Sequence, residues 1–455
     1  MSTQSYQVVV LGAGESGVGA ALLYRSKGLS VFVSDLGKIA PKYKQELEDN
    51  AIPYEEGKHS EDIILGSQEV VKSPGIPDKA PMVKQIRAKG IPIISEIELA
   101  GRYTSSYIVG ITGSNGKTTT TMWLHHILTL AGLEPALAGN VGYSLARHAV
   151  APPAEQPKYY VVELSSFQLD GMEHFHVDMA LLMNITPDHL ERYNYSFDEY
   201  ALSKMRILQN QTSDDAFIYW GEDEFVARYI AAHQPMAMQT LAFHTYPQVG
   251  AAADRSDNNT MRVRLGGRHF ELPISELALQ GPHNLQNAMA VTIAAMRLGV
   301  SDQVLREGLT SFVNVPHRLE RIAVIDGVAY INDSKATNVS STYYALRTMT
   351  TPYVLILGGV DKGNDYNYIK PIIATGARAL VFLGIDNGKL REILGDLEIP
   401  IREAVSMKDA VALCHELAVP GDVVLLSPAC ASFDLFDNYE HRGNLFRDEV
   451  SLLKG

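Results

Sequence analysis

Short apolar runs alternate with longer amphipathic stretches along most of the chain, which predicts strands and helices in turn. The runs at residues 7–11, 30–34, 107–109, 135–138, 159–163, 179–184, 353–357, 379–382 and 422–426 read as buried strands. Helix-like stretches follow several of them: one ending near Lys27, one over 120–128, one starting near Phe197, and a long alanine-rich one opening at 281–287. Buried strands separated by helices make parallel, doubly wound sheets. Elsewhere the pattern changes. Residues 213–275 read as short strands and turns, with 247–260 as a surface loop. Residues 321–325 and 328–331 flank Asp326 and Gly327, a hairpin signature.

Composition narrows the class. A chain of 455 residues suggests two to four domains. The formal charge of −13 disfavours nucleic acid and anionic membranes as partners, but leaves room for a local basic pocket. Cys414 and Cys430 form no metal-type spacing, so free thiols in a reducing compartment are expected. No basic-then-apolar leader precedes the strand at 7–11, and no apolar run approaches the ~20 residues that span a bilayer. The expectation is a cytoplasmic monomer.

The chemistry concentrates in loops after strands. Gly110, Gly113 and Gly116 lie between the strand at 107–109 and the helix at 120–128, with Ser114, Asn115, Lys117, Thr118 and Thr119 among and after them. Glycine loop, lysine and helix start together make a phosphate cradle: converging N–H groups, a helix N-terminus and one full positive charge. Lys117 suits β- and γ-phosphates, and the Thr118 hydroxyl suits Mg²⁺. The spacing is a variant, because Ile111 stands where the strict P-loop pattern has glycine. Glu163 ends a buried strand, where an acid in such proteins holds Mg²⁺. Gly12, Gly14 and Gly17 form a second glycine turn, with Asp35 about twenty residues on. That turn is compatible with NAD, with another nucleotide diphosphate, or with helix packing alone. Asn140 and His189 lie in polar loops, where ligand contact and a structural role are both open. Lys204 stands mid-helix and reads from spacing alone as a solvated lysine. Asn284 and Asn287 lie near a helix start, one suited to capping and the other to a ligand. Polar clusters at 332–338, 358–362 and 427–433 all follow strands, where open α/β sheets bind ligands.

In order along the chain, Gly113 to Thr119, Glu163 to Leu169, Asn184 to Tyr193, His283 with Asn284 and Asn287, Pro316 to Arg318, Asp333 to Asn338 and Ser427 to Ser432 resemble the motifs of the Mur ligases. The stretches 164–169, 333–338 and 427–432 are most similar to the branch that adds D-glutamate. The resemblance implies an α/β protein of three domains: a Rossmann-like UDP-binding domain over 1–103, a central P-loop ATPase α/β domain over 104–314, and a Rossmann-like domain for the amino acid over 315–455. It reassigns the first glycine turn to UDP. The implied activity is ATP-dependent ligation of D-glutamate to UDP-N-acetylmuramoyl-L-alanine through an acyl phosphate, in peptidoglycan precursor synthesis. Lys117, His189 and Lys204 would be catalytic. Gly113, Ser114, Asn115, Gly116, Lys117, Thr118, Thr119, Asn287, Arg318 and Asp333 would hold ATP. Gly14, Glu15, Ser16, Asp35, Ser73, Asn140 and His189 would contact the UDP substrate, although Leu36 and Gly37 offer uracil few donors. Lys335, Thr337, Lys362, Ser432, Phe433 and Tyr439 would meet D-glutamate. Two Mg²⁺ sites are implied, one at Thr118 and Glu163, the other at His189 and a CO₂-derived carbamate on Lys204. A folylpolyglutamate synthetase-like ligase and a non-enzymatic nucleotide switch are the competing readings.

Overall fold

The computed structural model describes residues 6–361 and 363–453. The chain divides into two compact units. One runs to Leu277 and resumes over Leu285–Ser311; the other holds Ala278–Asn284 and continues from Phe312. Three sheets are present among the described residues, two in the first unit and one in the second.

The first sheet is parallel throughout and runs, edge to edge, Tyr54–Glu56, Val31–Asp35, Val8–Leu11, Glu69–Lys72 and Ile93–Ile94. Val8–Leu11 is buried along its whole length, as an apolar run covered on both faces should be. It is the strand from which the order departs in both directions. The glycine turn after it opens at the switch point, and the helix Glu15–Ser26 follows.

In the second sheet the order is Arg268–Pro273, Thr260–Leu265, Ala253–Arg255, Gln239–Phe243, Ala216–Trp220, Met179–Leu182, Tyr107–Thr112, Tyr159–Glu163 and Ala136–Gly139. Tyr107–Thr112 lies between Tyr159–Glu163 and Met179–Leu182, parallel to both, so three functional loops leave the same end of adjacent strands. The surface loop expected at 247–260 is only partly one. Ala253–Arg255 is a strand, antiparallel to Thr260–Leu265, and Ala251 to Ala253 are buried. Asp254, inside the stretch expected as a loop, is held by Arg262 Nε and Nη2 at 2.8 Å each.

The second unit opens its sheet with the expected hairpin. Glu320–Ile325 and Val328–Asn332 pair antiparallel around Asp326 (φ +50°) and Gly327 (φ +79°). From Val328–Asn332 the sheet continues parallel through Val423–Leu426, Tyr353–Leu357, Ala377–Leu383 and Ile401–Ala404. Apolar clusters cover both of its faces. No described helix is long and apolar enough to cross a membrane.

Candidate active site

The loop 113–116 is fitted between two neighbours. Gly116 caps the helix Lys117–Leu130 in the left-handed region (φ +85°), and a Cβ there would stand 2.6 Å from Asn287 Oδ1. Asn287 Oδ1 also accepts from Thr120 Oγ1 at 3.1 Å, so this asparagine braces the cradle from the helix Pro282–Arg297. Asn284 instead donates to Gln280 O, the local role of the pair. On the other side, Asn184 O accepts from Ser114 N at 2.8 Å, and Asn184 Oδ1 accepts from Asn115 N at 2.9 Å. The Ser114 hydroxyl lies 2.8 Å from Tyr200 Oη and donates to Thr186 O at 2.8 Å.

Two amines meet on this loop. Lys117 Nζ donates to Gly113 O and Ser114 O at 2.9 Å each, and Lys204 Nζ donates to the same Gly113 O at 2.8 Å. The expectation of a solvated Lys204 is therefore wrong: it is 2% exposed. Helical spacing hid this, because the burying partner is a loop far away in sequence. Burial foremost, and then Lys117, hold the Lys204 ammonium well below the usual lysine range, against Asp188, Asp170 and Glu163.

Across the sheet, Glu163 pairs with Ile111, two positions before Gly113. Its Oε1 accepts from Asn140 Nδ2 at 2.8 Å, while Oε2 is buried with no hydrogen-bond partner among the described residues. Thr118 is buried on the neighbouring helix start. An orphaned carboxylate oxygen beside a phosphate-type loop fits a hard cation, so these residues suit Mg²⁺.

A cavity of about 290 Å³ gathers Lys117, Asn140, His189 and Lys204, with Pro74, Gly75, Ser165, Ser166, Phe167, Asp188 and Tyr200. His189 sits in the left-handed region (φ +53°), with Nε2 3.8 Å from Asp188 Oδ1 and its ring 5.3 Å from that of Phe167. Phe167, Asp188 and Tyr200 carried no assignment from sequence. Only Ser165 left a local trace there, as the Ser-x-x-Gln capping box it forms with Gln168.

The first glycine turn borders another cavity, of about 480 Å³, lined by Leu11, Gly12, Asp35, Leu36, Gly75, Ile76, Pro77 and Met82 among others. Gly14 precedes Glu15 and Ser16 at the helix start, and a Cβ on Gly14 would meet nothing within 4 Å. The Glu15 carboxylate points elsewhere, to Arg147 Nε (2.8 Å) and Ser144 N (3.0 Å). Asp35 accepts from Ala13 N (2.6 Å) and Gly37 N (2.7 Å), and Ser73 Oγ lies 3.4 Å from Gly12 O.

In the second unit, the clusters at 332–338, 358–361 and 427–433 leave three adjacent strands, and Val360 bridges to Ala431. Asp333 is buried, accepts from Ser427 Oγ at 2.9 Å, and is pushed up to about 7 by burial, against the attraction of Arg318. Arg318 Nε is buried with no hydrogen-bond partner among the described residues. Lys335 Nζ lies 5.2 Å from the centre of the Tyr439 ring. The Thr337 N–H closes a turn onto Lys335 O. Ser432 is buried and Phe433 exposed. Lys362 lies outside the described residues. Sequence reasoning passed over Arg442, a buried guanidinium that donates to Ser334 O (2.8 Å) and Cys430 O (3.1 Å) and joins two of the clusters.

Fold and site define the class: three sequence models of a single family match in order. They are the Mur ligase MurD-like N-terminal domain over residues 6–95, the Mur ligase middle domain over 111–295, and the Mur ligase glutamate ligase domain over 317–430. The chain belongs to the Mur ligase family. It is 56% identical over 451 residues to the UDP-N-acetylmuramoylalanine–D-glutamate ligase of Porphyromonas gingivalis, covering 99% of each chain. With the enzyme of the same name from Bacteroides fragilis it shares 49% over 445 residues, 98% of this chain and 99% of that one. Among solved structures, the UDP-N-acetylmuramate–alanine ligase of Thermotoga maritima matches with a TM-score of 0.63 at 19% identity, over 98% of this chain and 99% of that one, which shows a shared fold.

Proposed function

We propose that this protein is the ATP-dependent ligase that joins D-glutamate to UDP-N-acetylmuramoyl-L-alanine, in cytoplasmic assembly of a peptidoglycan precursor. The observation that carries the reading is the meeting of Lys117, Asn140, His189 and Lys204 around one cavity, in a chain 56% identical to a ligase of that name. The domains are assigned as 1–103 for UDP, 104–314 for ATP and 315–455 for the amino acid.

A carboxylate is a poor electrophile, so it first attacks the γ-phosphoryl group of ATP and becomes an acyl phosphate. ADP leaves, the D-glutamate amine attacks the acyl carbon, and phosphate departs with the amide formed. Anions crowd this centre. Lys117 shifts from the loop carbonyls to the β- and γ-phosphates, offsetting their repulsion. The N–H groups from Gly113 to Thr119 cradle them, braced by Asn287. Thr118 and Glu163, and at a second place His189 and Lys204, would hold Mg²⁺, which would supply charge stabilisation to the transferring phosphoryl group. Burial beside Lys117 favours the uncharged Lys204 amine, the form that adds CO₂, and the resulting carbamate is a carboxylate-like ligand.

Gly14, Glu15, Ser16, Asp35 and Ser73 are assigned to the UDP end of the substrate, Glu15 and Asp35 by backbone and loop support since their carboxylates are engaged. Asn140 and His189 are assigned to its reacting end. Arg318 and Asp333 are assigned to ATP. Lys335, Thr337, Ser432, the backbone at Phe433, and Tyr439 are assigned to D-glutamate, with Lys362 on the resemblance alone. The test is phosphate release from ATP with UDP-N-acetylmuramoyl-L-alanine and D-glutamate, L-glutamate or neither. Release that requires the UDP substrate and the D-isomer is expected; release indifferent to either would overturn the reading.

A further inference from the structure

The loop from Ser73 to Pro77 walls two cavities at once. Gly75, Ile76 and Pro77 line the pocket of about 480 Å³ at the first glycine turn, and Pro74 and Gly75 line the 290 Å³ cavity with Lys117 and His189. Three consecutive carbonyls of this loop face one guanidinium. Arg192 Nη2 donates to Pro74 O at 2.6 Å and to Ile76 O at 3.1 Å, and Nη1 to Gly75 O at 3.3 Å. The same guanidinium lies 4.1 Å over the Phe167 ring, which packs against His189. From the other side, Lys72 Nζ donates to Ile76 O at 2.8 Å and is itself 3.5 Å from Asp78.

We propose that Arg192 is a positioning residue that fixes the 73–77 loop as the shared wall of both cavities, and so sets where the sugar-peptide end of the UDP substrate enters the reaction cavity. The inference rests on the ligase reading above. Carbonyl dipoles aligned side by side repel, and Pro74 and Pro77 lack N–H groups that could hold the loop by main-chain pairing. A guanidinium presents several donors in one rigid plane and satisfies the three carbonyls together; an ammonium lacks that fork. Because the cation also stacks on Phe167, loop and reaction cavity share one support. UDP alone needs only the first pocket. The full substrate must span both, so it meets the wall on two sides where UDP meets it on one.

The experiment compares the wild-type protein with R192M, which keeps the stem, and R192K, which keeps the charge. Titration with UDP and with UDP-N-acetylmuramoyl-L-alanine is combined with steady-state kinetics and thermal melting. In R192M the KM for the full substrate is expected to rise about tenfold or more and kcat to fall, while UDP affinity and the KM for ATP stay within about twofold. R192K should fall between, and it carries the same test should R192M not fold. Equal losses for UDP and for the full substrate, or no loss for either, would overturn the clamp. Wild-type turnover on both substrates separates the two readings: with it present and R192M unaffected, the clamp falls and the ligase assignment stands.

Discussion

The two glycine turns of the first unit look alike in sequence, each standing between a buried strand and a helix, yet they are built for different work. In the first, Gly17 is there for packing: a Cβ on it would stand 1.8 Å from Gly12 O. The helix opens on an acid, Glu15, tied to Arg147. In the second, the helix opens on Lys117, whose ammonium lies over the loop, with Lys204 on the same carbonyl and an orphaned Glu163 oxygen on the next strand. Glycines let a backbone come close to something. The charges around them decide whether that is a neighbouring helix, a diphosphate at rest, or a phosphoryl group in transfer.

Substitutions sharpen the contrast, and the largest effect belongs to the second turn. Lys117→Ala should lower turnover by ~10³-fold or more while melting as the wild type does. Retained activity with unchanged ATP affinity would erase the distinction between the turns. Lys204→Arg keeps a permanent charge and cannot carry a carbamate. A loss of about 10²-fold, with no response to added bicarbonate, is expected from the kinetics. In the first turn the glycines should separate. Gly17→Ala should cost about 2–4 kcal/mol in urea unfolding, because the close approach to Gly12 is lost. Gly14→Ala should cost under about 0.5 kcal/mol and act instead on the KM of the UDP substrate, since its Cβ enters open space.

A pH-dependent effect lies beside the first turn. Glu96 is buried, accepts from Ala146 N at 2.5 Å, and is pushed up to about 7 by burial, with Glu15 adding to the rise. Its folded-state value lies above the unfolded one. Its contribution is therefore whole below about pH 4.5 and lost as pH rises through about 7. Glu96→Gln should remove that slope. Relative to wild type, the variant should gain up to about 3 kcal/mol between pH 4.5 and 8, read from unfolding curves across the range. Parallel curves would show that Glu96 does not titrate there.

Most of the strands were legible because parallel strands covered on both faces leave uninterrupted apolar runs, and the loops after them carry the polar clusters; their order within each sheet was not. What stayed hidden depended on distant partners. Lys204 looks solvated on its own helix and is buried by Gly113. Asp254 looks like a loop charge and is paired by Arg262. Arg192 sits among motif residues, but its three acceptors lie more than a hundred positions earlier. Asn287 was readable as a helix-start asparagine, yet which of the pair braced the cradle depended on Gly116. Local patterns announce elements and loops; they do not say which side chain a loop will meet.

The most direct test of the chemistry assigned to the Lys117 turn follows one oxygen. UDP-N-acetylmuramoyl-L-alanine labelled with ¹⁸O in its alanyl carboxylate is turned over with ATP and D-glutamate, and the released phosphate is analysed by mass spectrometry. An acyl phosphate carries one carboxylate oxygen to phosphorus, so phosphate bearing a single ¹⁸O is the expected result. Unlabelled phosphate released alongside product would contradict carboxylate activation at this turn.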